Sequence, residues 1–381
     1  MLYLDNAATT PVRREALDAA WPYLTGTFGN PSSHHQVGEA AAAGLHDARG
    51  RVAAVLGARR SDIVFTAGGT EAANLAIKGL ALASPRGKHL VTSRLEHDAV
   101  LHSVEFLQRV HGFEVSFVEV LPDGTITPEA LGAALREDTT LVSLGLANNE
   151  IGTVHDIPAL AEIAHASGAL VHTDAVQAAG WIDLRGLGVD ALTLSGHKIG
   201  APKGIGAAMI RGRLPVEPLV HGGGQENARR SGTENVAFAV ALAVALELSE
   251  AEREEKAARL APRRDAFIEQ VLAARDGVLL TGAAPGPGRL PGHASFCVPG
   301  RSGESILLDF AERGVIASSG SACAAGSDEP SHVLTALGIP REVAQTAVRF
   351  TLPAGITAEQ LEAVGTLVGQ VIAPGTDRHQ P

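Results

Sequence analysis

The stretch Leu170-Val171-His172-Thr173-Asp174-Ala175-Val176-Gln177 runs from apolar and β-branched residues into an acid and then into small residues, the form of a buried strand that ends at a polar turn. Six more short runs of the same kind share its half of the chain, at residues 62–66, 89–92, 115–118, 141–144, 191–194 and 207–210. Helix-like segments such as 71–82, 99–110 and 157–166 separate most of them. Strands alternating with helices are the pattern of βαβ units. The expected fold class is therefore α/β, with a large domain over residues 15–260 built on a mainly parallel, seven-stranded sheet.

Further along, residues 234–275 read as one or two long helices, and the charged run Glu252-Arg253-Glu254-Glu255-Lys256 reads as a solvated helix face. A Gly/Pro-rich stretch, 281–292, marks a loop. Beyond it strands at 294–298, 315–317 and 348–352 alternate with helices at 302–313 and 358–371. These form a smaller α+β domain, residues 261–381 together with 1–14, and 381 residues suffice for two such units.

Lysine and arginine total 31 against 42 acids, a net charge of −11, which argues against nucleic acid and against a basic membrane surface as partners. The longest apolar run, 236–246, stops at Glu247, well short of the roughly 18 residues that a membrane span needs. The chain start lacks the basic and apolar regions of a signal peptide, and two distant cysteines make no disulfide framework, so a cytoplasmic protein is expected. Fifteen histidines show no metal-ligand spacing, and no metal is expected.

Reactive groups are few. The five lysines are Lys78, Lys88, Lys198, Lys203 and Lys256, and the two cysteines are Cys297 and Cys323. Lys198 follows an apolar strand within Leu194-Ser195-Gly196-His197-Lys198, where an amine of lowered pKa can form a Schiff base; Lys203 competes for that role. Asp174 closes a buried strand and calls for a cation or several donors, although it would also serve as a helix cap. Phe65-Thr66-Ala67-Gly68-Gly69-Thr70-Glu71 is a strand, a glycine turn and a helix start, which aims N–H groups at an anion; a plain tight turn reads the same way. Cys297 sits in a strand run, as a small hydrophobe does, whereas Cys323 stands among small residues in Ser318-Ser319-Gly320-Ser321-Ala322-Cys323-Ala324-Ala325-Gly326-Ser327 and reads as accessible and reactive. An anion cradle, an acid for a ring nitrogen and an amine 198 − 174 = 24 residues later are the three things pyridoxal 5′-phosphate requires.

Together with Tyr3-Leu4-Asp5-Asn6-Ala7-Ala8-Thr9-Thr10-Pro11, Gly29-Asn30-Pro31-Ser32-Ser33, Glu96-His97, Asn148-Asn149-Glu150-Ile151-Gly152, Arg230-Ser231-Gly232-Thr233 and Arg349-Phe350, these segments resemble the pyridoxal-phosphate-dependent cysteine desulfurases of the NifS/IscS type, nearly end to end. The resemblance implies a fold-type-I enzyme in which Lys198 forms the Schiff base, Asp174 pairs with the pyridinium nitrogen, His97 stacks on the ring and Gln177 hydrogen-bonds the ring oxygen. It further implies that Gly69, Thr70, Ser195 and His197 hold the phosphate with Thr233 of the partner subunit, which makes the active unit a homodimer. Asn149 would lie against the cofactor and, with Arg349, grip the carboxylate of L-cysteine. Lys198 would act as base, with His97 as a proton donor or acceptor, and Cys323 on a mobile loop would take the sulfur as a persulfide. An acceptor protein such as an iron–sulfur scaffold would then receive it, with Cys323 available as a ligand to its cluster.

The long cysteine loop resembles the IscS/NifS group and not the SufS-like one. The sequence departs from the family at Gln225-Glu226-Asn227-Ala228-Arg229-Arg230, where many relatives carry Arg-Gly after the glutamate. An aminotransferase, a selenocysteine lyase or a non-catalytic scaffold of the same fold would share the cofactor residues; Cys323 discriminates among them.

Overall fold

The computed structural model describes residues 1–83, 85–320 and 329–373. Cys323, its loop neighbours from Ser321 onward and the C-terminal tail lie outside the described residues. The chain opens with β1 (Leu2–Tyr3) and two helices that its strand-and-turn pattern leaves unmarked, α1 (Arg14–Thr25) and α2 (Gln36–Val55). Then come β2 (Ile63–Thr66), α3 (Gly69–Ala83), β3 (His89–Thr92), α4 (Asp98–His111), β4 (Glu114–Phe117), α5 (Pro128–Ala134) and β5 (Thr139–Gly145). The series continues with α6 (Ile157–Ala166), β6 (Leu170–Asp174), β7 (Ala191–Ser195) and β8 (Gly206–Ile210).

All seven strand runs between residues 62 and 210 enter one sheet in the order β2-β8-β7-β6-β5-β3-β4. The sheet is parallel except at β8, which runs antiparallel to both β2 and β7. Apart from the edge strand β4, its strands are buried on both faces, so neighbouring residues point to different cores. Val64, Leu90, Leu141, Ala191 and Ala208 pack under α3 and α4. Phe65, Val91, Val142, Leu192 and Ala207 pack against the opposite layer of α1, α2 and α6 together with α7 (Val236–Ala251). The result is a three-layer sandwich with every strand's carboxyl end free to carry polar groups.

A second helix, α8 (Arg253–Ala274), leads away from that layer to β9 (Leu279–Leu280), β10 (His293–Cys297), α9 (Gly303–Glu312) and β11 (Val315–Ile316). Two short helices, α10 (His332–Ala336) and α11 (Arg341–Ala344), precede β12 (Ala347–Thr351) and α12 (Ala358–Ile372). Strands β12, β10 and β9 form an antiparallel sheet over a separate core. In that core the Phe350 ring meets Phe267, Phe296 and Phe310 at centroid distances of 5.2, 6.4 and 5.6 Å. Leu4 also belongs to it, and β1 pairs with β11, so the chain's first residues are built into the second core. Cys297 is fully buried, and burial pushes its thiol up to about 12. Among the described residues no helix is long and apolar enough to cross a membrane.

The departure at residues 225–230 has a distinct conformation. Glu226, Asn227 and Ala228 take φ of +52°, +57° and +61°, three successive non-glycine residues in the left-handed region. The turn is held by Arg49, which forks onto the buried Glu226 carboxylate, and by the Phe65 N–H, which donates to the same group at 3.0 Å. Each such residue costs roughly 1–2 kcal/mol, and a glycine at position 228 would not incur it. Ala228→Gly is therefore expected to stabilise the protein by about 0.5–1 kcal/mol after the greater freedom of glycine in the unfolded chain is subtracted. A urea-unfolding midpoint that falls would contradict this.

Candidate active site

The carboxyl ends of β2, β5, β6 and β7 open into a cleft of about 1110 Å3 whose lining includes Gly69, Thr70, His97, Asn149, Asp174, Gln177, Ser195, His197, Lys198 and Arg349. The fold thus gathers nearly all the expected site residues from segments scattered over 280 positions (349 − 69).

At one end, β2 turns through Gly68 into α3. A Cβ on Gly69 would lie 3.0 Å from Val176 Cγ2 and 3.2 Å from Ser195 Cβ, so only glycine lets the turns after β2, β6 and β7 close together. The opening N–H groups of α3, the Thr70 side chain and Ser195 surround this spot, a setting for an anion. Glu71 restrains the turn by accepting from the Ala67 N–H at 2.7 Å and pairing with Arg230 at 2.7 Å. His197 places Nδ1 3.1 Å from Thr9 Oγ1. Burial, followed by the charges of Lys198 and Lys203, draws its pKa down to about 4, so it is neutral at pH 7.

In mid-cleft, Asp174 ends β6, its Oδ1 accepting from the Val176 N–H at 2.9 Å. Burial raises its pKa, while that N–H, the positive influence of His97, the Thr193 hydroxyl and Lys198 oppose the rise. Beneath it runs a relay: Ser143 Oγ lies 2.8 Å from His172 Nδ1, and His172 Nε2 3.3 Å from Thr193 Oγ1. Since Thr193 donates to Asp174, it accepts from Nε2–H of a neutral His172, whose pKa burial lowers to about 3. Lys198 projects into the cleft from the turn after β7 and donates to the carbonyls of Ala7 and, at 2.8 Å, Ala8. Gln177 donates to the same Ala7 carbonyl at 3.0 Å. His97 caps α4 through Nδ1, which accepts from the Ala99 N–H at 3.0 Å and leaves the ring proton on Nε2.

At the far wall Arg349 is 2% exposed. It pairs with Asp5 at 2.7 Å and donates to the carbonyls of Asn149 and Gly320 at 3.0 and 2.9 Å, yet among the described residues its buried Nε has no partner. A buried donor left over at a cleft is what an incoming carboxylate would satisfy. Two expected residues are not gathered here. Thr233 is exposed before α7 and outside the cleft, and Cys323 lies outside the described residues. Among the described residues no group of three or more His, Cys, Asp or Glu is placed to hold a metal.

Three contributors carry no sequence signal of their own: the Ala7 and Ala8 carbonyls, the Thr9 hydroxyl and Asp5 as counter-ion to Arg349. A fourth, Glu96, stands beside His97 in the chain, and its place in the Glu96-His97 segment gave no sign of its own role. It is 4% exposed, accepts from Ser93 Oγ at 2.7 Å and from the Gly145 N–H, and sits so close that a Cβ on Gly145 would lie 3.1 Å from it.

The aminotransferase class-V family matches residues 2–364. Among relatives, the cysteine desulfurase IscS of Dictyoglomus turgidum is 45% identical over 374 residues, 97% of this chain and 94% of that protein. The IscS-like cysteine desulfurase of Mycobacterium tuberculosis is 42% identical over 360 residues, 92% of this chain and 91% of that one. A solved NifS-like protein superposes with a TM-score of 0.89 at 33% identity, covering 97% of this chain and 99% of its own. SspA in complex with cysteine superposes with a TM-score of 0.80 at 35% identity, covering 93% and 99%. The chain belongs to the aminotransferase class-V family.

Burial pushes the Glu96 carboxyl from its ordinary 4.5 up to about 7. Below pH 4.5 it is protonated in folded and unfolded chains alike and its stabilising contribution is whole. As pH climbs through 7 the unfolded chain has already released the proton and that contribution is lost. Glu96→Gln, neutral throughout, should therefore gain on the native protein with rising pH, by about 3 kcal/mol at pH 8 relative to pH 4.5. Urea unfolding of both proteins at the two pH values checks it; a constant difference between them refutes it.

Proposed function

We propose that this protein is a pyridoxal-phosphate-dependent cysteine desulfurase that converts L-cysteine to L-alanine and moves the sulfur to Cys323 as a persulfide for an acceptor protein. The observation that carries this reading is one cleft in which Lys198 and Asp174 face the same space as the glycine cradle of Gly69. The donor set fits the cofactor part by part. Lys198 would hold its aldehyde carbon, and Asp174, short of a cation, would pair with its ring nitrogen. His97 would lie against the ring with Asn149 beside it, and Gln177 would meet the ring oxygen. Gly69, Thr70, Ser195 and neutral His197 would take the phosphate. Thr233, exposed and away from this cleft, suits the phosphate of a second copy, which supports a homodimer. Residues 15–260 would then form the cofactor-binding domain and 1–14 with 261–381 the smaller domain, α8 bridging them.

The cofactor, when bound, supplies an electron sink that acidifies the hydrogen on the substrate's α-carbon. Arg349 and Asn149 orient the substrate through its carboxylate, which the unpartnered Arg349 Nε is set to receive. Lys198 moves the proton at the α-carbon, and His97 holds or gives one through Nε2. Cys323 Sγ, as thiolate, bonds to the substrate sulfur while the carbon–sulfur bond breaks. The carbon keeps the electron pair and takes a proton, so L-cysteine and a thiol become L-alanine and a persulfide. An iron–sulfur scaffold is the acceptor most in keeping with the IscS name of the relatives.

With L-cysteine and a reductant, the purified protein should yield alanine and sulfide in equal amounts. Cys323→Ala should keep the yellow cofactor colour and lose both products, and Lys198→Ala should lose the colour as well. Alanine formation surviving in Cys323→Ala would redirect the reading to transamination or lyase chemistry, and a colourless native protein yielding neither product would end it.

A further inference from the structure

Behind Lys198 lies a second cavity of about 250 Å3, between the end of β12, the start of α8 and the turn after β7. It shares a wall with the cleft, and its polar lining has one sign. Arg13, Lys198 and Lys256 face it, and among the described residues no aspartate or glutamate does. The three cations differ in what they already hold. Arg13 forks onto Glu252 at 2.6 and 2.8 Å, and Lys198 donates to the Ala7 and Ala8 carbonyls.

Lys256 is the exception. Read from the sequence as part of a solvated face, it is instead only 6% exposed. Its ammonium rests 4.1 Å over the Trp181 ring and, among the described residues, makes no ion pair or side-chain hydrogen bond. Glu252 and Glu250 act on it from further off, and each already holds an arginine, Arg13 and Arg253. Burial brings its pKa down to about 8, so at neutral pH it remains a desolvated cation without a counter-ion.

We propose that this cavity binds a short-chain aliphatic carboxylate, its oxygens on the Lys256 ammonium and its chain against Trp181, Leu290 and Leu352. The volume holds on the order of eight water-sized groups, which suits a chain of about four to six carbons. The same lining selects against amino acids, because no acid is present to receive an α-ammonium group. L-cysteine and L-alanine are therefore not its ligands, and the site does not depend on the proposed desulfurase reaction.

The chain has two tryptophans, and Trp21 lies exposed on α1, so a Trp21→Phe holoenzyme leaves Trp181 as the sole reporter. Butyrate titrated at ionic strength held constant with sodium chloride should change Trp181 emission saturably, and calorimetric titration should give the same affinity. 2-Aminobutyrate, which the neighbouring cofactor cleft can take as an amino acid, should give a response that Lys256→Met leaves unchanged. Lys256→Met in that background should weaken butyrate binding about tenfold or more, the loss of one charge-assisted contact, and Lys256→Arg should retain it. A butyrate response that is missing by both methods, or that survives Lys256→Met unchanged, would overturn the proposal.

Discussion

Asp174 stands where β6 leaves the sheet, with strands on either side and little water, and a carboxylate in that position is unstable unless positive charge reaches it. From beneath it receives only neutral donors: the Thr193 hydroxyl, and behind it a histidine that burial keeps uncharged and a serine. Compensation has to arrive from the cleft side, where His97 and Lys198 face it. The neighbouring acid, Glu96, is more deeply buried and is eased by holding its proton to a higher pH, so that one carboxylate and not two seeks a cation. That asymmetry between adjacent acids gives the cleft its chemical direction.

The second organising element is the strap formed by the first ten residues. Leu4 is anchored in the aromatic core of the smaller unit, and Asp5 pairs with Arg349 of β12. Within the next four residues the same strap meets Lys198 through two carbonyls and His197 through a hydroxyl. Arg349 and Lys198, which come from different parts of the fold, are thus registered by one short segment.

Much of this was legible in the sequence. Most strands of the large sheet are short runs dominated by apolar and β-branched residues, and burial on both faces makes such runs hard to miss, so the parallel sheet and the chemistry at its strand ends could be read together. Helix α2 was not, because its seven alanines and its glycines at 38, 44 and 50 blur the apolar period that marks a helix. Backbone carbonyls as ligands leave no trace in residue identity, which hid Ala7 and Ala8. Lys256 was misjudged for a physical reason as well: charged neighbours imply a solvated face, yet one position on that turn points inward over an indole. The left-handed turn at 226–228 was signalled only by a departure from relatives whose glycine would have fitted it better.

The fate of Cys297 bears on a different matter, the fidelity of sulfur traffic. With its pKa near 12, only on the order of one thiol in 100,000 is ionised at neutral pH, and the strand around it admits no solvent. A chain that handles reactive sulfur risks storing it at the wrong address, by exchange between its own thiols. Burial in a β-strand insulates Cys297 from that exchange.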